Sequence, residues 1–309
     1  MVTIMQKALT PQALEQHLTG GWDQLSGFVL RAVDVAMADT PAALFEAHAL
    51  GFPGSPFTPD MASVHLVRFP ATPQLRFEDA IGGTDRASAA LTGGPFVERP
   101  PFTGTGFAPW SGGFAPVYWV ASSRVPAGSD IVRVDADGSA TLVAVYQDVA
   151  TGWVAGPGAP ALPPVTLPPR PSLHIGLLAR YGGAVFPADL LLDEQTVVLS
   201  SHANPADDSG FEQTPSGRWR LAVPLGDLTE LFELSMTGTV QGAPVRVIGQ
   251  SAQAGEQVYD VLYTGHDADV AESFGLTKLD AGVYVGAVRV EDLADVQTVQ
   301  LVARGWPGA

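Results

Sequence analysis

Residues 217–234 read GRWRLAVPLGDLTELFEL, and residues 282–299 read GVYVGAVRVEDLADVQTV. Shifted by 65 positions, the two stretches place Gly217 over Gly282, Trp219 over Tyr284, Val223 over Val288 and Leu225 over Val290. Asp227-Leu228 falls on Asp292-Leu293, Leu231 on Val296 and Leu234 on Val299. Upstream, Gly210-Phe211 falls on Gly275-Leu276, and Gly183-Ala184 and Gly242-Ala243 open the two copies at a slightly shorter offset. Glycine, aromatic, apolar and acidic positions agreeing in one register mark an internal duplication. Each copy reads as two strands, an acidic loop, a Gly-x-aromatic strand, a short acidic helix or turn (225–231 and 290–296) and a last strand. Such units bury little alone, so two copies packed face to face with approximate two-fold symmetry are expected. Trp219 and Tyr284 each follow Gly-x and precede apolar alternation, which predicts two inward-pointing core anchors.

Working outward, residues 155–172 read AGPGAPALPPVTLPPRPS, and seven of them are proline. Such a stretch lacks backbone donors and tends to polyproline II, a semi-rigid spacer. It divides the chain into residues 1–154, a linker at 155–172 and residues 173–309. The charge divides there too: residues 1–171 hold 9 basic and 14 acidic residues, net −5, and residues 172–309 hold 7 and 18, net −11. The first part is expected to open with helices, beginning at Pro11, over 22–36 (Trp22, Leu25, Phe28, Val29, Ala32 and Val33 at helical spacing), and from the Thr40-Pro41 cap through Leu50. Strands are expected at 64–69, 117–120, 131–134 and 141–146, with Asp135–Gly138 as a hairpin turn. Residues 82–116 are irregular and rich in Gly, Phe and Trp, the place to expect a site. The fold class is α+β: N-terminal helices, a mixed β-rich domain, then a β-rich α+β domain with an internal two-fold repeat.

Of the 309 residues, 46% are hydrophobic and 16% charged, which gives folded cores and excludes a disordered chain. A length of 309 favours two domains. With 16 Lys and Arg against 32 Asp and Glu, the net charge of −16 excludes a nucleic-acid-binding footprint. The absence of cysteine excludes disulfides, thiol nucleophiles, zinc-thiolate sites and iron–sulfur clusters. No 18-residue apolar run is present, so no membrane partner is expected. The first nine residues do not read as a secretory leader, and the cytoplasm is the expected location.

Catalytic motifs are absent. None of the six histidines has a second at H-x-x-x-H spacing, and no G-x-S-x-G elbow, Walker A loop or G-x-G-x-x-G fingerprint occurs. Gly104-Thr105-Gly106 is a tight turn. His202 and His266 lie in matching loops beside Asp207, Asp208, Asp267 and Asp269; without EF-hand spacing these read as solvated loops, and no metal is expected. One constellation remains: Arg68, Arg76, Glu78, Asp85, Arg86, Glu98 and Arg99. A dinucleotide-consuming enzyme needs arginines for the pyrophosphate and a carboxylate for a ribose hydroxyl or the oxocarbenium-like centre. If the chain is an enzyme, Arg68, Arg76 and Glu98 must converge on one cleft; otherwise the group is a set of salt bridges.

Gly93-Gly94-Pro95-Phe96-Val97-Glu98-Arg99, following Arg68-Phe69, resembles the G-x-P-F-x-x-R stretch of tuberculosis necrotizing toxin-type NAD glycohydrolase domains. That family's Gly-rich C-terminal stretch with its Gln is missing here. The pattern of residues 175–302, with Gly-Phe-Glu, Gly-x-Trp and Val-Pro-x-x-Asp-Leu, resembles small acidic proteins encoded beside actinobacterial polymorphic toxins, including immunity proteins. This second resemblance implies a partner more than a reaction. The sequence is therefore read as an acidic, cytoplasmic protein-binding protein, immunity- or antitoxin-like, needing no cofactor and neutralising a partner protein such as a secreted toxin. Asp207, Asp208, Asp267 and Asp269 are the expected contacts, steering a basic partner. The alternative is an NAD-consuming or ADP-ribosyl-transferring enzyme in residues 51–154, with the C-terminal half as a regulatory module.

Overall fold

The structure, a computed structural model, describes residues 2–73, 75–165, 168–205, 209–253 and 255–309. The first half contains β1 (Ile4–Leu9), α1 (Pro11–Gly20), β2 (Gln24–Arg31), α2 (Pro41–Ala47), β3 (Ser63–Pro70), β4 (Phe77–Asp79), β5 (Gly82–Gly83) and α3 (Arg86–Thr92). It continues with β6 (Phe96–Val97), β7 (Phe107–Trp110), β8 (Gly113–Pro116), β9 (Tyr118–Arg124), β10 (Asp130–Asp135), β11 (Ala140–Tyr146) and β12 (Trp153–Ala155). Eight of these strands form one sheet in the order β12-β11-β10-β3-β1-β2-β9-β4. Alternation puts Met5, Leu9, Val67, Phe69 and Ile131 on one face under α1, and Ala8, Leu66, Val132 and Val134 on the other under α2.

The helices are short and follow their caps. Thr10 and Thr40 each accept a backbone N–H of the first turn ahead of a proline, and Asp85 and Ser88 form a capping box on α3. The helix expected over 22–36 does not form. Gln24–Arg31 is strand β2 between β1 and β9, followed by a 3-10 turn at Ala32–Val35. Gly27 sits at φ +91, and a Cβ there would lie 2.6 Å from the Val283 side chain. A left-handed residue breaks the helical path, so the apolar spacing is spent on a strand. The chain is thus mostly strand, and the N-terminal helical region shrinks to α1 and α2.

The second half contains β13 (Leu177–Tyr181), β14 (Ala184–Leu190), β15 (Thr196–Ser201), β16 (Glu212–Gln213), β17 (Trp219–Pro224), β18 (Glu230–Val240), β19 (Ala243–Gln253) and β20 (Glu256–Tyr263). It ends with α4 (Ala268–Ser273), β21 (Thr277–Asp280), β22 (Val283–Arg289) and β23 (Ala294–Leu301). The acidic segments after β17 and β22 are 3-10 turns, Leu225–Asp227 and Val290–Asp292. Two face-to-face copies are not what forms. All the strands join one 11-stranded sheet through β18, which pairs with β13 at its start and β19 at its end, while β23 runs along its other edge. Strand order is β16-β17-β15-β14-β13-β18 on one side and β21-β22-β20-β19-β18-β23 on the other. The two anchors also part company: Tyr284 is buried, whereas Trp219 is only half-buried and joins no apolar cluster among the described residues.

The two halves share a core. Phe96, Trp119, Ile175, Ile248, Leu262 and Val283 form one buried cluster, and Trp119 Nε1 donates to the Gly282 carbonyl at 2.9 Å. The proline-rich stretch therefore ties the halves rather than spacing them. Leu162 lies on the first-half core, Ser172 donates to the Ile248 carbonyl, and Arg218 donates to the Pro169 carbonyl. Among the described residues no helix is long and apolar enough to cross a membrane.

Candidate functional site

The sequence constellation resolves into a set of staples across the seam. Glu78 meets His266 at 3.1 Å, and Arg86 meets Asp267 at 2.7 Å. Arg99 meets Asp269 and Glu272, each at 2.7 Å. Glu98 is 2% exposed. Its Oε1 accepts from Lys278 Nζ and the Arg99 amide, and its Oε2 from the Gly282 amide, each at 2.9 Å. The Tyr284 hydroxyl completes the shell at 3.2 Å from Oε2, and its own proton is held well above the usual phenol range by burial and the adjacent Glu98 charge. Local structure sets these positions. Arg86 opens α3, and Glu98 follows β6, which pairs with β5 in parallel. Gly82 is needed there, because a Cβ would come within 1.9 Å of the Phe96 carbonyl oxygen.

The cleft that the enzyme alternative requires of Arg68, Arg76 and Glu98 is not built, and the salt-bridge reading of the group holds. Arg68 is clamped by Asp130, its register partner on β10, through bonds of 2.7 and 2.8 Å. Arg76 is exposed, and Glu98 is committed to the second half. Two of the four acidic loop residues have partners inside the molecule. Asp267 caps α4 and pairs with Arg86, and Asp269 pairs with Arg99, so both carboxylates hold the molecule together. Asp207 and Asp208 lie outside the described residues. His266 is no solvated loop residue: its ring lies 4.0 Å from that of Phe96 and 4.5 Å from that of Trp119. Among the described residues no group of three or more His, Asp or Glu could hold a metal.

Beside the staples lies a hollow of about 700 Å³, its open mouth included. Phe28, Leu30, Leu50, Phe52, Phe102 and Phe107 supply most of its apolar wall. Lys7 and Asp280, paired at 2.6 Å, cross the seam at its side. Lys278 lies 5.7 Å from the centre of the Phe52 ring. Lys7 and Lys278 are the only lysines of the chain, and each pairs with a carboxylate of the opposite half. His48, on the wall, is held neutral: burial, with Lys7 acting the same way, lowers its pKa to about 3. Its Nε2 lies 2.9 Å from the Gln6 amide nitrogen. Ala49 beside it has φ +51, a left-handed position at the end of α2 that usually favours glycine.

A second buried network lies on the same seam. Arg124 donates to the carbonyls of Ser172, Ile175, Leu177 and Ala188 and stands 3.7 Å from Asp23, while Arg220 pairs with Asp148 at 2.8 Å. Burial raises the pKa of Asp189 to about 8 despite Arg124, with Asp148 and Asp23 adding to the rise, and burial raises Asp23 too.

The far edge of the second sheet is different in kind. Residues 294–300 of β23 are all exposed, including Val296 (47%) and Val299 (50%), and among the described residues β23 pairs with β18 alone. The strand carries no Lys, Arg or Pro, and Glu291, Asp292 and Asp295 lie at its start. Sequence reasoning passed over this edge and over Lys7, Lys278, Asp280 and His48. The one signal available was two lysines in a chain otherwise without them. Comparisons with family models, with curated proteins and with solved structures find no match to this chain.

Proposed function

We propose that this is a non-catalytic, cytoplasmic partner-binding protein of the immunity or antitoxin kind, and that its partner adds a basic, extended segment to the free edge of β23. The observation carrying this reading is the edge itself. Sheet edges are normally guarded by Lys, Pro, short length or cover; β23 is eight residues long, has no outer neighbour among the described residues, and has none of those side chains. A bulge at Asp295, φ +50, protects only its first turn of chain. An added strand gains main-chain hydrogen bonds, and a net charge of −16 draws in a basic one. The residues that an NAD-consuming enzyme would use weigh against that alternative, since Arg68 is paired with Asp130 and Glu98 is held by Lys278 and the Gly282 amide, away from Arg76.

The same reading takes residues 173–309 as two copies of one strand unit fused at β18. Matching strand orders support it, as do matching core positions: Ala188, Leu199, Val223 and Leu228 in one cluster answer Val247, Val261, Val288 and Leu293 in the other.

The test compares the full chain with a Val296→Lys, Val299→Lys double variant, both positions being surface-exposed. The wild type should retain a specific basic partner from the native host, with an association rate that falls steeply with salt. The double variant should lose that partner without a change in melting temperature. Equal retention by the variant, or hydrolysis of a nicotinamide dinucleotide that Arg68→Ala or Glu98→Ala abolishes, defeats the reading.

A further inference from the structure

We infer that the hollow beside Lys7 and Asp280 is a binding site for an uncharged, largely apolar small molecule with an alkyl or aromatic body. Phenylalanine and leucine side chains wall the hollow, and an apolar concavity with few polar groups is the usual form of a small-molecule site. Phe28 and Phe102 stack at 5.3 Å between ring centres along the wall, and Phe107, 47% exposed, stands at the rim. The Ala49 methyl is part of the wall, on a left-handed backbone position that glycine would adopt with less strain.

The charges decide the class of ligand. Lys7 is matched by Asp280, Lys278 by Glu98, and Arg99 by Asp269 and Glu272. His48 is neutral at physiological pH. None of the buried polar atoms without a partner among the described residues belongs to a residue lining the hollow. An anion or cation entering there meets no free counter-charge, and must either break a pair or stay uncompensated. A neutral molecule asks for neither and gains from leaving water. Since the hollow and the β23 edge share no residue, this site stands or falls independently of the partner reading.

The experiment titrates the full-length protein with the uncharged dye Nile red, then displaces the dye with octan-1-ol, octanoate or octylammonium at pH 7. Saturable dye binding is expected, with octan-1-ol displacing at roughly a tenfold lower concentration than either ion. Ala281→Trp, which fills the wall from a half-buried position, and Phe107→Ala, which strips the rim, should each weaken dye binding several-fold while the melting temperature shows the fold intact. No saturable binding, displacement by an ion as effective as by the alcohol, or dye binding unchanged in both variants overturns the inference. Dye binding in the Val296→Lys, Val299→Lys variant should match wild type; its loss there places the dye on the sheet edge and overturns it too.

Discussion

Asp189 offers the sharpest test of the seam. It lies on β14, is 2% exposed, takes a hydrogen bond from the Val149 amide, and leaves Oδ2 without a partner. Arg124, Asp148 and Asp23 face it, and burial outweighs Arg124, so the carboxyl keeps its proton up to about pH 8 against 3.8 in the unfolded chain. Between those values the folded state binds one more proton than the unfolded state, so stability must fall as pH rises. The contribution is fully present below pH 3.8 and is lost as pH climbs through 8. Each unit is worth about 1.4 kcal/mol, so roughly 4 kcal/mol is lost by pH 7.

Asp189→Asn keeps the shape and removes the proton. Its stability relative to wild type should grow by about 4 kcal/mol from pH 4 to pH 7 and level off above pH 8. Any offset from the new amide N–H is constant with pH and leaves the slope untouched. His17 and His48 titrate in both proteins and cancel in the difference. Urea unfolding followed by tryptophan fluorescence at pH 5, 6, 7 and 8 measures it. A difference that stays flat across that range would falsify the burial argument.

Four further outcomes follow from the same structure. His17 is buried with Nδ1 2.9 Å from the Trp22 carbonyl, and burial lowers its pKa to about 4; stability should fall by up to about 3 kcal/mol as pH drops from 6.5 through 4, and His17→Asn should remove that loss in acid unfolding curves. Ala49→Gly should stabilise the fold by about 0.5–1 kcal/mol, read from urea midpoints, because it relieves the left-handed strain. Glu98→Ala, which strands Lys278 and the Gly282 amide, should cost about 3–5 kcal/mol; a double-mutant cycle with Lys278→Met should show strong coupling, and additive effects would contradict the staple. Leu228→Ala and Leu293→Ala, 6% and 7% exposed at corresponding positions, should cost similar amounts, about 2–5 kcal/mol each, and a large disparity in thermal unfolding would count against duplication.

What the sequence discloses is local. The hairpin of β10 and β11 is written in alternating apolar residues around Asp135–Gly138, and the turn forms with Gly138 at φ +81. Pro11 and the Thr40-Pro41 cap announce α1 and α2 in turn, because helix starts are settled within one turn of chain. Gln24–Arg31 misleads for a tertiary reason. Its apolar spacing satisfies a helix as well as a strand, and only the neighbouring strands and the close approach of Val283 to Gly27 choose between them. The relation between residues 217–234 and 282–299 is visible as text, but the sharing of β18 is not, since no residue pattern states that one strand will pair on both edges.

The constellation of Arg68 to Arg99 shows the same limit: the sequence allows a set of salt bridges without naming the partners. Arg86, Glu98 and Arg99 look like one another's partners because they are close in the chain, yet their partners Asp267, Lys278 and Asp269 lie well over 150 residues away. Along the chain, the acidic loop of the second half and the arginines of the first lie far apart and look like separate surfaces. Each is the other's partner. Satisfying those charges at the seam leaves the excess of negative charge elsewhere on the surface, and leaves beside the staples a hollow whose charged neighbours are all matched. The proposed protein contact therefore moves away from the loops where the acids cluster, to an edge defined by unpaired backbone. The proposed ligand contact moves away from the arginines, to phenylalanines that the charge pattern could not single out.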